Sequence, residues 1–148
     1  MSDRTQASIV VDAPAERVMA AIADFDNYPK WVATAKEVTV LERSADGRPA
    51  RVRFVIDAGF LKDTYELVYT WEAGGRAVSW ELAESTMQRS QHGSYELRSS
   101  VDGASTTVTY TLEVTVHIPM LGMLRRKAEK TITDTALKEL KRHVEGSE

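Results

Sequence analysis

The rhythm of apolar and polar positions divides the chain into a strand-forming body and a helical end. Across 119–145, apolar residues recur at Leu121, Leu124, Ala128, Ile132, Ala136, Leu140 and Val144, close to the spacing of one helix face. Pro119 stands where a first turn can begin and Gly146 is a natural stop. Lys138, Lys141, Arg142 and His143 put positive charge in the last turns, where it suits the helix dipole. The stripe carries the small residues Ala128 and Ala136, with Thr131 and Thr135 nearby. Two readings follow from that: close packing on the layer below, or a space between the two.

Most of what precedes this helix has the period of strands. Residues 7–12 are β-branched and lightly alternating, a first strand. Asp12 is a candidate N-cap, and Val18, Met19, Ile22 and Phe25 outline a short amphipathic helix. Pro29 interrupts it, and a second short helix is expected over 29–34. From Glu37 the period becomes two. Val38, Val40 and Leu41 open a strand. Val52, Phe54 and Ile56 then oppose Arg51, Arg53 and Asp57. Tyr65, Leu67, Tyr69 and Trp71 share a face, as do Val78, Trp80 and Leu82. A long run over 87–99 precedes a last strand in which Val108, Tyr110, Leu112, Val114 and Val116 oppose threonines. Turns at 45–48, 72–76 and 101–104 join neighbours at hairpin spacing. The expectation is an α+β domain spanning 1–148, order β-α-α-β6-α, whose seven-stranded antiparallel sheet has one wet face and one face covered by the long helix.

Two stretches carry a family likeness. Ile9 to Val18, reading "strand, Ala-Pro-x-x-x-Val", and Ile22 to Trp31, reading "helix, Asp-Phe, Tyr-Pro-x-Trp", resemble the opening of START-like (SRPBCC) polyketide cyclase/dehydrase proteins. Gly93 to Leu97, Thr106 to Tyr110 and the helix entered through Ile118-Pro119 resemble the family's paired late strands and its C-terminal helix. The resemblance covers essentially the whole chain. It implies a helix-grip fold, a curved sheet wrapped around the helix with a cavity between them. It also implies an activity drawn from a wide set, since members bind sterols, lipids, polyketides, quinones or plant hormones and only some are enzymes. A shared fold does not choose among these.

Composition narrows the classes. The chain of 148 residues, 43% hydrophobic and 28% charged, is ordinary for a soluble globular domain. A net charge of −3 gives no electrostatic reason to expect nucleic acid, and with no cysteine there are no disulfides or thiolate metal sites. The start of the chain lacks signal-peptide blocks and no apolar run is long enough to span a membrane, so a cytoplasmic location is expected. His92, His117 and His143 lack metal-ligand spacing, and no glycine-rich phosphate loop or nucleophile elbow occurs; no metal or cofactor is expected.

The candidate chemistry sits on the inward faces. If Tyr95 and Leu97 face inward, strict alternation sends Met87, Arg89, Gln91 and Gly93 inward too. Arg89 then meets water, an internal carboxylate such as Glu129, or an anionic ligand group; a bulge that flips the parity is the alternative. The expected ligand-binding residues are Trp31, Phe54, Tyr65, Tyr69, Trp80, Met87, Arg89, Gln91, Tyr95, Met120, Leu124 and Ala128. Were there a reaction, Arg89, Tyr65 and Tyr69 are the catalytic candidates, without a cofactor. Phe60, Leu61 and the 120–124 segment are expected at the cavity entrance, and the basic, methionine-bearing run 120–127 suggests transient contact with a membrane surface. The leading expectation is binding or carrying of a small apolar ligand, lipid, polyketide, isoprenoid or aromatic. An aromatase/cyclase-type enzyme and a quinone-binding or protein-partner module are the alternatives.

Overall fold

The computed structural model describes residues 4–57, 62–116 and 122–146, with the backbone alone for 122–125. The chain runs β1 (Thr5–Val11), α1 (Ala15–Ala23), a 3-10 turn (Phe25–Asn27), α2 (Tyr28–Trp31), β2 (Ala35–Arg43), β3 (Pro49–Asp57), β4 (Lys62–Trp71), β5 (Ala77–Ser85), β6 (Gln88–Ser99), β7 (Thr106–Val116) and α3 (Gly122–Gly146). All seven strands form one antiparallel sheet in the order β1-β7-β6-β5-β4-β3-β2. Hairpins build β2 to β7 in sequence, and β1 closes against β7 across the helical excursion. This is the expected α+β helix-grip architecture.

Period-two alternation sorts the strand residues as expected. Val52, Phe54, Leu67, Val78, Trp80, Leu97, Val108, Tyr110 and Leu112 are buried on the inner face. On the outer face Arg51 and Arg53 flank Glu66, whose carboxylate accepts from Arg51 Nε at 2.7 Å and from Arg53 Nη2 at 2.9 Å. Those two guanidiniums hold the Glu66 carboxyl below the usual carboxylate range.

The long helix lies on β1 and β7, with α1 and α2 against it. Its inward face differs from the expected stripe. Glu129, Thr133, Leu137, Leu140 and Val144 are buried and Ala136 partly so, whereas Ala128 is exposed and Ile132 is 47% exposed. The reason is helical geometry. At about 100° per residue, a pure i+4 series drifts about 40° per step, so 128 and 144 sit about 160° apart. The 129-133-137-140-144 series interrupts its steps of four with one step of three and stays on one side. Its first two members are polar, and an apolar count passes over them.

One more local expectation changes. Asp12 does not cap α1, which starts at Ala15 after Pro14 with no side-chain cap. Its backbone N–H donates instead to Glu145 Oε2 at 2.8 Å, tying the end of α3 to the start of the excursion. Arg17 reinforces this through Val144 O at 2.8 Å.

Candidate functional site: a tyrosine cluster

Because α3 rests on β1 and β7, the inner face of β3 to β6 is left to aromatic rings. Phe54 stacks on Tyr65 at 5.2 Å, Tyr69 on Trp71 at 5.8 Å, and Trp80 touches Tyr69, Tyr95 and Tyr110 at 5.5–5.7 Å between centroids. Phe25 and Tyr28 close one end of this belt, with Phe25 5.0 Å from Tyr69 and Tyr28 5.0 Å from Trp31. Trp80 can lie flat in the belt because β6 carries Gly93 beneath it. A Cβ at that position would come within 2.4 Å of the indole. Gly93 therefore makes room for Trp80.

Phe54 and Trp80 are buried, yet Tyr65, Tyr69 and Tyr95 keep part of their surface accessible deep in the inner layer. No hydrogen bond joins the hydroxyls of Tyr65, Tyr69, Tyr95 or Tyr110 to any described residue, and none of the four is sealed. Among the described residues only Trp31 Nε1 is both sealed and unpartnered. Buried phenols normally find partners. Four that keep accessible surface and lack a protein partner give this aromatic cluster polar tips free to meet a ligand. Tyr28, the fifth, donates its hydroxyl to Ile22 O.

Electrostatics fixes what these phenols can do. Burial raises the pKa of Tyr28, Tyr65, Tyr69, Tyr95 and Tyr110, and for all but Tyr110 the neighbouring hydroxyls raise it further. Asp63 adds to the effect on Tyr65, and Glu139 to that on Tyr95. They remain neutral at physiological pH, able to donate to or accept from a ligand oxygen but not to act as tyrosinate bases. No lysine or arginine among the described residues is buried; the buried carboxylates among them are Asp63, Glu66 and Glu129. Glu129 accepts from Thr5 Oγ1 at 2.8 Å and from the Val114 N–H at 2.7 Å, continuing the β1 edge where the ladder with β7 ends. Asp63 accepts from Thr86 Oγ1 at 2.7 Å, Ser85 Oγ at 2.9 Å, Gln88 Nε2 at 2.9 Å and the Met87 N–H at 3.3 Å.

Of the residues expected from sequence, Phe54, Tyr65, Tyr69, Trp80 and Tyr95 come together in the belt, and Gln91 joins it by accepting from Trp80 Nε1 at 2.9 Å. Trp31 stands at the belt's end, stacked on His143 of α3 at 4.9 Å. Met87 is half-buried in the β5–β6 turn. Arg89 and Ala128 do not belong: both are exposed. For Arg89 the cause is a β-bulge, since Gln88 pairs with Val116 and Ser90 with Thr115, leaving Arg89 as the extra residue. Met120, Phe60 and Leu61, and the side chain of Leu124, lie outside the described residues, and with them the expected entrance. Asp63 and Gln88 were missed, because a lone acid and a glutamine near a turn carry no signal until β4 and β6 are folded together. An open cleft of about 470 Å³ lies on the outer face around Arg53, Glu66 and Thr39, but its central carboxylate is already held by two arginines.

Comparison with known proteins agrees with this geometry. The family described as "Polyketide cyclase / dehydrase and lipid transport" matches residues 2–145. The chain belongs to that family. Among solved structures, a START superfamily protein from Mycobacterium smegmatis superposes with a TM-score of 0.90 at 22% identity, covering 97% of both chains. A protein from Thermus thermophilus gives 0.80 at 22% identity, again with 97% of both chains covered. The Zhui aromatase/cyclase from a Streptomyces species gives 0.76 at 15% identity, covering 96% of this chain and 93% of that one. At such identities the likeness establishes the fold. No curated protein matches by sequence.

Proposed function

We propose that the protein binds and carries a small, neutral, ring-bearing molecule with oxygen substituents in the cavity between the sheet and α3. The observation that carries this is the set of four unpartnered tyrosine hydroxyls within aromatic walls. Flat apolar walls favour rings, and hydroxyl tips favour carbonyl, ether or hydroxyl oxygens. The absence of buried lysine or arginine among the described residues, together with the Asp63 carboxylate acting on Tyr65, disfavours a carboxylate or phosphate ligand. A cyclase-type enzyme needs a general base. Neutral phenols do not supply one, and Asp63 and Glu129 already accept hydrogen bonds from the protein, which favours binding over a reaction run by these groups.

Two measurements test this. Native mass spectrometry of the protein purified from its source should show a bound neutral molecule, released by organic extraction. Tryptophan fluorescence should show saturable binding of 2-naphthol at least about tenfold tighter than 2-naphthoate, a difference of about 1.4 kcal/mol. Equal or tighter binding of the carboxylate would overturn the assignment of ligand class. A ligand-free protein that takes neither probe would overturn binding altogether.

A further inference from the structure

The bulge that expels Arg89 also builds something. With one extra residue in β6, Gln88 and Gln91 face the same side of the sheet, where strict alternation would pair Gln91 with Arg89. Gln91 Oε1 accepts from Trp80 Nε1 at 2.9 Å, Gln91 Nε2 donates to Gln88 Oε1 at 2.6 Å, and Gln88 Nε2 donates to Asp63 Oδ2 at 2.9 Å. An indole N–H only donates and a carboxylate only accepts. The two ends therefore dictate the orientation of both amides, and the chain of bonds has a single direction. Asp63 is held in turn by Ser85 and Thr86 and by the Met87 N–H, and Ser85 Oγ accepts from the N–H groups of Met87 and Gln88. One end of the relay is thus the pinned β5–β6 turn. The other end is the indole on which Tyr69, Tyr95 and Tyr110 rest.

We infer that Gln88 and Gln91 are positioning residues that hold the Trp80 indole in one orientation, and through it the spacing of the tyrosines, so that they set which ring sizes the cavity accepts. This rests on the ligand-binding reading above. With the relay intact the indole lies flat over Gly93, and a ligand must fit the width that remains. With the relay cut at Gln91 the indole loses its one polar anchor, and with it cut at Gln88 that anchor loses its tie to Asp63; in either case the wall can yield to a wider ring.

The test uses the full chain and two neutral probes, the two-ring 1,4-naphthoquinone and the three-ring 9,10-phenanthrenequinone, titrated by quenching of tryptophan fluorescence. In Gln91→Leu and in Gln88→Leu the ratio of the two dissociation constants should move about fivefold or more toward the larger ring. Gln88→Leu leaves the Trp80–Gln91 bond in place, and its near-ultraviolet circular dichroism should stay close to that of the unaltered protein. Should Gln91→Leu fail to fold, Gln88→Leu carries the same comparison. A purely structural role would weaken both probes together and leave their ratio alone; that outcome overturns the inference. An unaltered protein that binds neither quinone instead removes the ligand-binding reading beneath it.

Discussion

All five tyrosines of this chain belong to the cluster, so alkaline titration reads the cluster with no surface tyrosine to obscure it. Each has a folded-state pKa raised above the ordinary tyrosine value of 10.0, chiefly by burial. The folded form therefore keeps its protons where the unfolded form gives them up. Their contribution to stability is complete below pH 10 and drains away as the pH climbs above it. The loss per group is about 1.4 kcal/mol for each pH unit above 10, hence about 7 kcal/mol per unit for all five. Set against a typical domain stability of about 5–15 kcal/mol, the fold should collapse about one to two units above pH 10. The assay follows tyrosinate ultraviolet absorbance and near-ultraviolet circular dichroism on one sample through the titration. Both signals should change together in one cooperative step. Smooth ionisation centred near pH 10 with an intact dichroism spectrum would show the hydroxyls open to bulk water, and the cavity would go with it.

Other outcomes follow from single contacts. Gly93→Ala introduces no backbone penalty, since Gly93 is not among the described glycines with positive φ, but drives a methyl into Trp80; urea melts should show a loss of about 1–3 kcal/mol and a changed tryptophan dichroism, and a change under about 0.5 kcal/mol would mean the indole does not lie against Gly93. Glu129→Ala leaves the Val114 N–H and Thr5 hydroxyl without their partner and should cost about 2–4 kcal/mol, with Glu129→Gln recovering part because its carbonyl oxygen still accepts; equal melts for all three proteins would refute a role for Glu129 in holding α3 to β1 and β7.

Side-chain alternation was enough to place Phe54, Tyr65, Tyr69, Trp80 and Tyr95 on one face, because a strand has a period of two and hairpin turns carry that parity from strand to strand. The same local rules gave the order of elements and a helix over 119–145, where the described helix runs 122–146. Local rules failed where the answer depended on a partner strand. Whether Arg89 or Gln88 turns inward is decided by the pairing of β6 with β7, where one unpaired residue resets the parity, and no pattern within β6 announces it. The inward line of α3 likewise came from what it meets: Glu129 is buried because the end of β1 and the Val114 N–H offer it two donors, so a charged residue takes a place that hydrophobicity alone assigns to Ala128. Asp63 belongs with Gln88 only once β4 and the β5–β6 turn lie side by side. Periodicity along the chain is a property of the backbone and can be read one residue at a time. The satisfaction of buried polar groups is a property of pairs far apart in sequence, and only the folded sheet brings those pairs within hydrogen-bonding reach.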